Sequence, residues 1–181
     1  PVVVVRTSSQ QPVGGVPVTF TVAGGGSIAV TTATTTSSGE ATPGAWTLGN
    51  IVGANTVTAS AAGLAPVTFT VNTTAGAPAA IELAPGNPTT AVVAQTVSAA
   101  VKVSDQFGNP VAGTPVSFAA QNGTVGSATA TTDASGIARV TNWALGTTVG
   151  TQRIVATTGA FSTTLTVNAT AGAAAQFSQL I

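Results

Sequence analysis

The chain contains no cysteine, histidine, tyrosine or methionine. Without cysteine there is neither a disulfide nor a thiolate, which fits a protein exported across a bacterial envelope and fits a cytosolic one equally well. With histidine and tyrosine also missing, most general bases, nucleophile activators and metal-ligand sets are unavailable. Charge is almost as scarce. Arg6, Lys102, Arg139 and Arg153 balance Glu40, Glu82, Asp105 and Asp133 in 181 residues. Nucleic-acid binding needs clustered cations to neutralise phosphates, and these four are scattered, which also excludes a basic membrane-binding face. No segment approaches the roughly 18 consecutive apolar residues of a membrane helix, and the valines at 2–5 are only strand-length. No signal peptide is visible at Pro1, so the chain reads as an internal stretch whose targeting sequence lies elsewhere.

What is present is threonine, valine, glycine and alanine. Hydrophobic residues make up 44%, but six Phe and two Trp supply most of the bulk. Short apolar runs broken by glycine and proline mark many short strands joined by tight turns. A mainly helical chain would need far more Leu, Glu, Lys and Arg.

Internal similarity organises the rest. PVGGVPVTF at 12–20 matches PVAGTPVSF at 110–118, WTLG at 46–49 matches WALG at 143–146, and NTTAGA at 72–77 matches NATAGA at 168–173. Three anchors in one order give a period of about 97 residues, the size of one immunoglobulin-type sandwich. The fold expected is all-β: tandem immunoglobulin-like β-sandwiches arranged end to end.

The second copy carries the clearer strand pattern. In residues 97–104, Val97, Ala99, Val101 and Val103 share one face, while Ser98, Lys102 and Ser104 point the other way. Alternation of this kind marks a half-buried strand. Turn chemistry follows at 105–110, where Asp105 and Asn109 can bond their own backbone and Gly108 permits positive φ. Further strands are expected at 116–120, 128–132, 137–145, 152–156 and 161–168, with hairpin turns at Asn122-Gly123 and at the glycines 24–26. Phe20, Phe118, Trp46 and Trp143 are the expected core.

The repeat sets the domain boundaries. Residues 1–74 form a first repeat lacking its first strand, 75–78 a linker stiffened by Pro78, and 79–170 a second repeat. Residues 171–181 are a linker and the first strand of a following repeat, with Phe177 aligned to Ile81. Two periods exceed the chain by about 13 residues, which correspond to the stretch between Pro85, the counterpart of Ile181, and Val101, the counterpart of Val3.

The segments DQFGNPVAGTPVSF at 105–118, TDASGIA at 132–138 and WALG at 143–146 resemble the bacterial immunoglobulin-like repeats of the invasin and intimin type, often called Big domains. The likeness extends over both copies, although TSSQQ at 7–11 replaces the DQFGN turn in the first. It implies an exported, surface-anchored adhesin in which such repeats build a stalk, and it brings no catalytic residue.

Asp105 with Asn109, or Asp133 with Ser135, could begin a calcium site, but neither has a second carboxylate nearby, so both read as turn formers. The threonine-rich run at 31–36 reads as solvated strand positions rather than a flat binding face. Asn72, Asn122 and Asn168 begin Asn-x-Thr sequons and are expected to be unmodified. No enzyme activity, cofactor or metal is expected.

Three roles remain open. The first is a structural spacer in an extracellular bacterial surface fibre, whose partners are the neighbouring repeats. The second is a filament subunit in which 175–181 of one chain, through Phe177, Leu180 and Ile181, fills the vacant first-strand position of another. The third is a loop-mediated module for a host protein or glycan. Nucleic acid and membrane insertion are not expected in any of them.

Overall fold

Alternating valines and threonines put one face of each strand in water and the other in a core, and the chain folds accordingly. The computed structural model describes residues 1–174, and among them there is no helix. Phe177, Leu180 and Ile181, expected to carry strand donation, lie outside the described residues. The chain divides into two compact units, Pro1–Ala75 and Gly76–Ile181.

The first unit contains β1 (Val3–Val4), β2 (Pro17–Ala23), β3 (Ser27–Ile28), β4 (Thr32–Thr34), β5 (Glu40–Ala41), β6 (Trp46–Thr47), β7 (Gly53–Ser60) and β8 (Val67–Thr73). A four-stranded sheet runs β4-β2-β7-β8, opposed by the pairs β1-β5 and β3-β6. Its core is Val18, Phe20, Ala41, Val57 and Ala59, against which Val3, Val5, Ile28, Ala33, Trp46 and Ala61 pack while partly buried.

The second unit contains β9 (Ala80–Leu83), β10 (Thr90–Val92), β11 (Thr96–Ser104), β12 (Pro115–Ala120), β13 (Thr124–Val125), β14 (Thr129–Thr131), β15 (Ile137–Ala144), β16 (Gly150–Thr158) and β17 (Phe161–Thr170). Two sheets, β10-β17-β16-β12-β14 and β13-β15-β11-β9, enclose Val101, Val103, Val116, Phe118, Val140, Trp143, Ile154 and Val167. Strand for strand, β2, β4, β7 and β8 of the first unit correspond to β12, β14, β16 and β17. The pair β1-β5 corresponds to the start of β15 and its partner stretch in β11.

The structure departs from the sequence reading at several points. Asn122-Gly123 is not a hairpin: the chain leaves β12 in one sheet and enters β13 in the other. The glycines at 24–26 do the same between β2 and β3. Gly26 and Gly123 lie so close to the Thr47 and Ala144 carbonyls that any Cβ would collide with them, so these glycines serve a crossing rather than a turn. Strand β10 was not expected; it pairs parallel with β17, Thr90 opposite Asn168 through Val92 opposite Thr170. In β11 a register irregularity between Val97 and Ala99 breaks the simple alternation, and Ala100 and Ser104 are buried as well.

Candidate functional site

Each unit is held by the same three backbone devices. The hydroxyl of Thr132 donates to the Val111 carbonyl at 2.7 Å and accepts the Thr114 N–H at 2.8 Å. Thr35 repeats this in the first unit, donating to Val13 at 2.8 Å and accepting from Val16 at 2.9 Å. Both threonines are buried, Thr35 within the run read from sequence as solvated. Buried amides do similar work: Gln152 accepts the Gly146 N–H at 3.0 Å and Asn55 accepts that of Gly49 at 2.7 Å. Third, Gly136 and Gly39 sit at φ of 73° and 78° and accept the N–H of Val103 and Val5, each at 2.8 Å. Thr132 and Gly136 fall within the TDASGIA motif and Thr35 within the threonine-rich run, but the sequence reading gave none of these residues a clamping role. Their signal is the repeat itself, since each pair lies 97 positions apart, as Trp46 and Trp143 do.

Asp105 is a turn former. One carboxylate oxygen accepts the N–H groups of Phe107 and Asn109, and the other accepts that of Gly76, each at 2.9 Å. The Asn109 side-chain amide donates to both oxygens, at 3.2 and 2.9 Å. These donors, the Asn109 side chain foremost, hold the carboxyl at a pKa of about 2 against an ordinary 3.8. Asp133 likewise accepts from Ser135 and Ile137. Among the described residues no three acidic side chains gather as a metal site would require.

The four expected core aromatics differ in their surroundings. Phe20 and Phe118 face each unit's core, and Trp143 is fully enclosed with its Nε1 donating to the Asn122 carbonyl at 3.0 Å. Trp46 is only half-buried, and its enclosed Nε1 has no partner. The first unit has one more residue between Phe20 and Ile28 than the second has between Phe118 and Val125. No carbonyl of that longer crossing reaches the indole.

The units also differ at one edge. In the second, β9 covers β11, with Val101 opposite Leu83 and Val103 opposite Ile81. It also lies against β17. In the first unit no described strand flanks β1 on that side. Equivalent residues record the difference in burial: Val101, Val103 and Val167 are buried, whereas Val3 and Val5 are half-buried and Val71 is 39% exposed. The result is an open apolar groove lined by Val3, Val5, Val18, Ala59, Leu64 and Val67. Leu64 and Val67 are each 50% exposed there.

The two-sheet, strand-crossing architecture makes this an immunoglobulin-like β-sandwich protein. Residues 84–172 match the bacterial Ig-like domain (group 1). That match lies within the second unit, and the first unit repeats its strands and clamps. The chain is similar to InvD of Yersinia pseudotuberculosis at 18% identity and a TM-score of 0.53, over 99% of this chain and 54% of that one. It is similar to invasin, a bacterial integrin-binding protein, at 22% identity and a TM-score of 0.47, over 94% of this chain and 35% of that one. The D0-D1 domain of intimin shares 25% identity at a TM-score of 0.41, over 93% and 87% of the two chains. The chain thus spans about half the length of InvD and about a third of invasin. The likeness to InvD establishes the shared fold. No curated protein matches the sequence.

Proposed function

We propose that this chain is a spacer segment of an extracellular bacterial surface fibre, with its Ig-like units standing in series and no catalytic role. The observation that carries the reading is what the two copies share. They repeat the buried clamps, Thr35 with Thr132, Asn55 with Gln152 and Gly39 with Gly136, at one spacing. Their exposed turns differ: TSSQQ at 7–11 stands where the second copy has DQFGN. Repetition of scaffold without repetition of loop side chains suits a part whose task is length. A repeated ligand site would call for the opposite.

Small-angle scattering tests this. A single compact body of this length has a radius of gyration of about 16 Å. Two domains in series, each roughly 35–40 Å long from strands of about ten residues, exceed 20 Å. A measured value near the lower figure would sink the spacer reading.

A further inference from the structure

We infer that Asn122 is a self-modification site: the backbone nitrogen of Gly123 closes on the Asn122 side chain, and the isoaspartyl product loosens the second unit. Of the eight asparagines, Asn122 alone precedes a glycine. Ring closure needs an N–H on the following residue and an open path to it, which a missing Cβ leaves clear. Asn87 and Asn109 precede prolines, which have no N–H to give. Those at 50, 55, 72 and 142 precede isoleucine, threonine or tryptophan, whose side chains crowd the approach. Asn168 precedes Ala169 inside the paired strand β17.

The fold also readies the reacting groups. Asn122 is exposed, in the crossing between β12 and β13. Among the described residues no protein group accepts the Gly123 N–H, so the nucleophile breaks no hydrogen bond before it attacks. The Asn122 Oδ1 accepts the Arg153 N–H at 3.3 Å, a contact that tightens as negative charge builds on that oxygen. The deprotonated Gly123 nitrogen forms a bond to Asn122 Cγ, and the Cγ–Nδ2 bond breaks. The amide proton reaches the departing ammonia by way of solvent. Water then opens the ring. Cleavage between Cγ and the Gly123 nitrogen gives aspartate with the main chain unchanged. Cleavage at the former peptide carbon gives isoaspartate, in which the main chain runs through Cβ and Cγ.

Isoaspartate lengthens a crossing that has no slack. The Asn122 carbonyl accepts the Trp143 indole N–H at 3.0 Å, and Gly123 lies hard against the Ala144 carbonyl. The first unit shows what a longer path does: its crossing has one residue more, and the indole of Trp46 has no partner. That crossing reads AGGGS at 23–27, without asparagine, so the first unit has no counterpart to this site. Either product adds one negative charge to a chain whose formal net charge is zero. The chemistry is distinct from glycan addition at the same asparagine, and it holds whether or not the chain is a spacer.

The test holds the intact chain at about pH 6 and about pH 9 and follows acidic species by ion exchange. They should accumulate at least about tenfold faster at the higher pH, because the attacking nitrogen must lose its proton. Peptide mapping should place the change at Asn122, and enzymatic methylation of isoaspartyl carboxylates should label that peptide. Asn122→Gln keeps the backbone carbonyl for Trp143 and should abolish both signals. In a Trp46→Phe background, the purified isoaspartyl form should show red-shifted Trp143 emission and a lower denaturation midpoint. The folded chain should react no more than about tenfold slower than the chain unfolded in urea. Stronger protection than that, another asparagine reacting first, or an isoaspartyl form with unchanged emission and midpoint would each overturn the inference.

Discussion

The Thr132 hydroxyl donates to the carbonyl of Val111 at 2.7 Å, and this bond ties the turn after β14 to the segment entering β12. With Thr114 N–H donating to the same oxygen, one buried hydroxyl satisfies two backbone groups that have no water to turn to. Thr132→Val keeps the shape and strands both, at a cost of about 2–4 kcal/mol. Thr132→Ser should cost far less. Denaturant unfolding followed by Trp143 fluorescence in a Trp46→Phe background checks this. A Val variant as stable as the parent would show that the clamp is incidental.

Gln10 holds φ of 65°, where the second unit has Gly108 at 82°. A side chain in the left-handed region costs about 1–2 kcal/mol, partly offset by glycine's greater freedom when unfolded. Gln10→Gly should therefore stabilise the first unit by about 0.5–1 kcal/mol, read as a higher denaturation midpoint for the Trp46 signal. Gly108→Gln should shift the second unit the other way.

A methyl group at Gly136 would sit 2.6 Å from the Val103 carbonyl, and at Gly39 it would meet the Val5 carbonyl at 2.6 Å. Gly136→Ala combines that collision with a positive φ and should destabilise the second unit by about 3 kcal/mol or more. Gly159→Ala shares the positive φ but meets nothing within 4 Å. Its cost should be about 1 kcal/mol. Equal losses for the two variants would remove the steric part of the explanation.

Asp105 titrates near 2 when folded and near 3.8 when free. The native state thus holds fewer protons than the unfolded one across that window. The carboxylate's contribution is complete above about pH 5 and is lost as pH falls through 3.8 toward 2. Asn109→Ala removes the largest cause of the shift and should flatten this acid limb in the second unit. The first unit, with Thr7 in the equivalent place, should lack the limb. Unfolding midpoints between pH 2 and 6 decide the matter.

Much of the second unit was legible because period-two runs such as Val101–Val103 and Leu165–Val167 bury every other side chain. The repeat carried that reading into the first unit, where patterning alone is weaker. Thr35, Thr132 and Asn55 escaped because a polar side chain on a strand looks solvated until its backbone partners are known. Strand β10 escaped because Thr90–Val92 is three residues long and its partner lies some 78 positions away. Trp46 was assigned to the core by analogy with Trp143, yet it is half-buried and its indole lacks the acceptor that a shorter crossing supplies in the second unit. The groove beside β1 was anticipated only as a vacancy, and its lining by Leu64 and Val67 needed the fold to bring them there.

The parallel pairing of β10 with β17 has a mechanical meaning. Tension entering the second unit near Gly76 and leaving past Thr170 pulls these two strands in opposite directions along their length. The three pairs from Thr90–Asn168 to Val92–Thr170 are then loaded together in shear instead of being unzipped one by one. The second unit therefore meets such a pull with all three pairs at once.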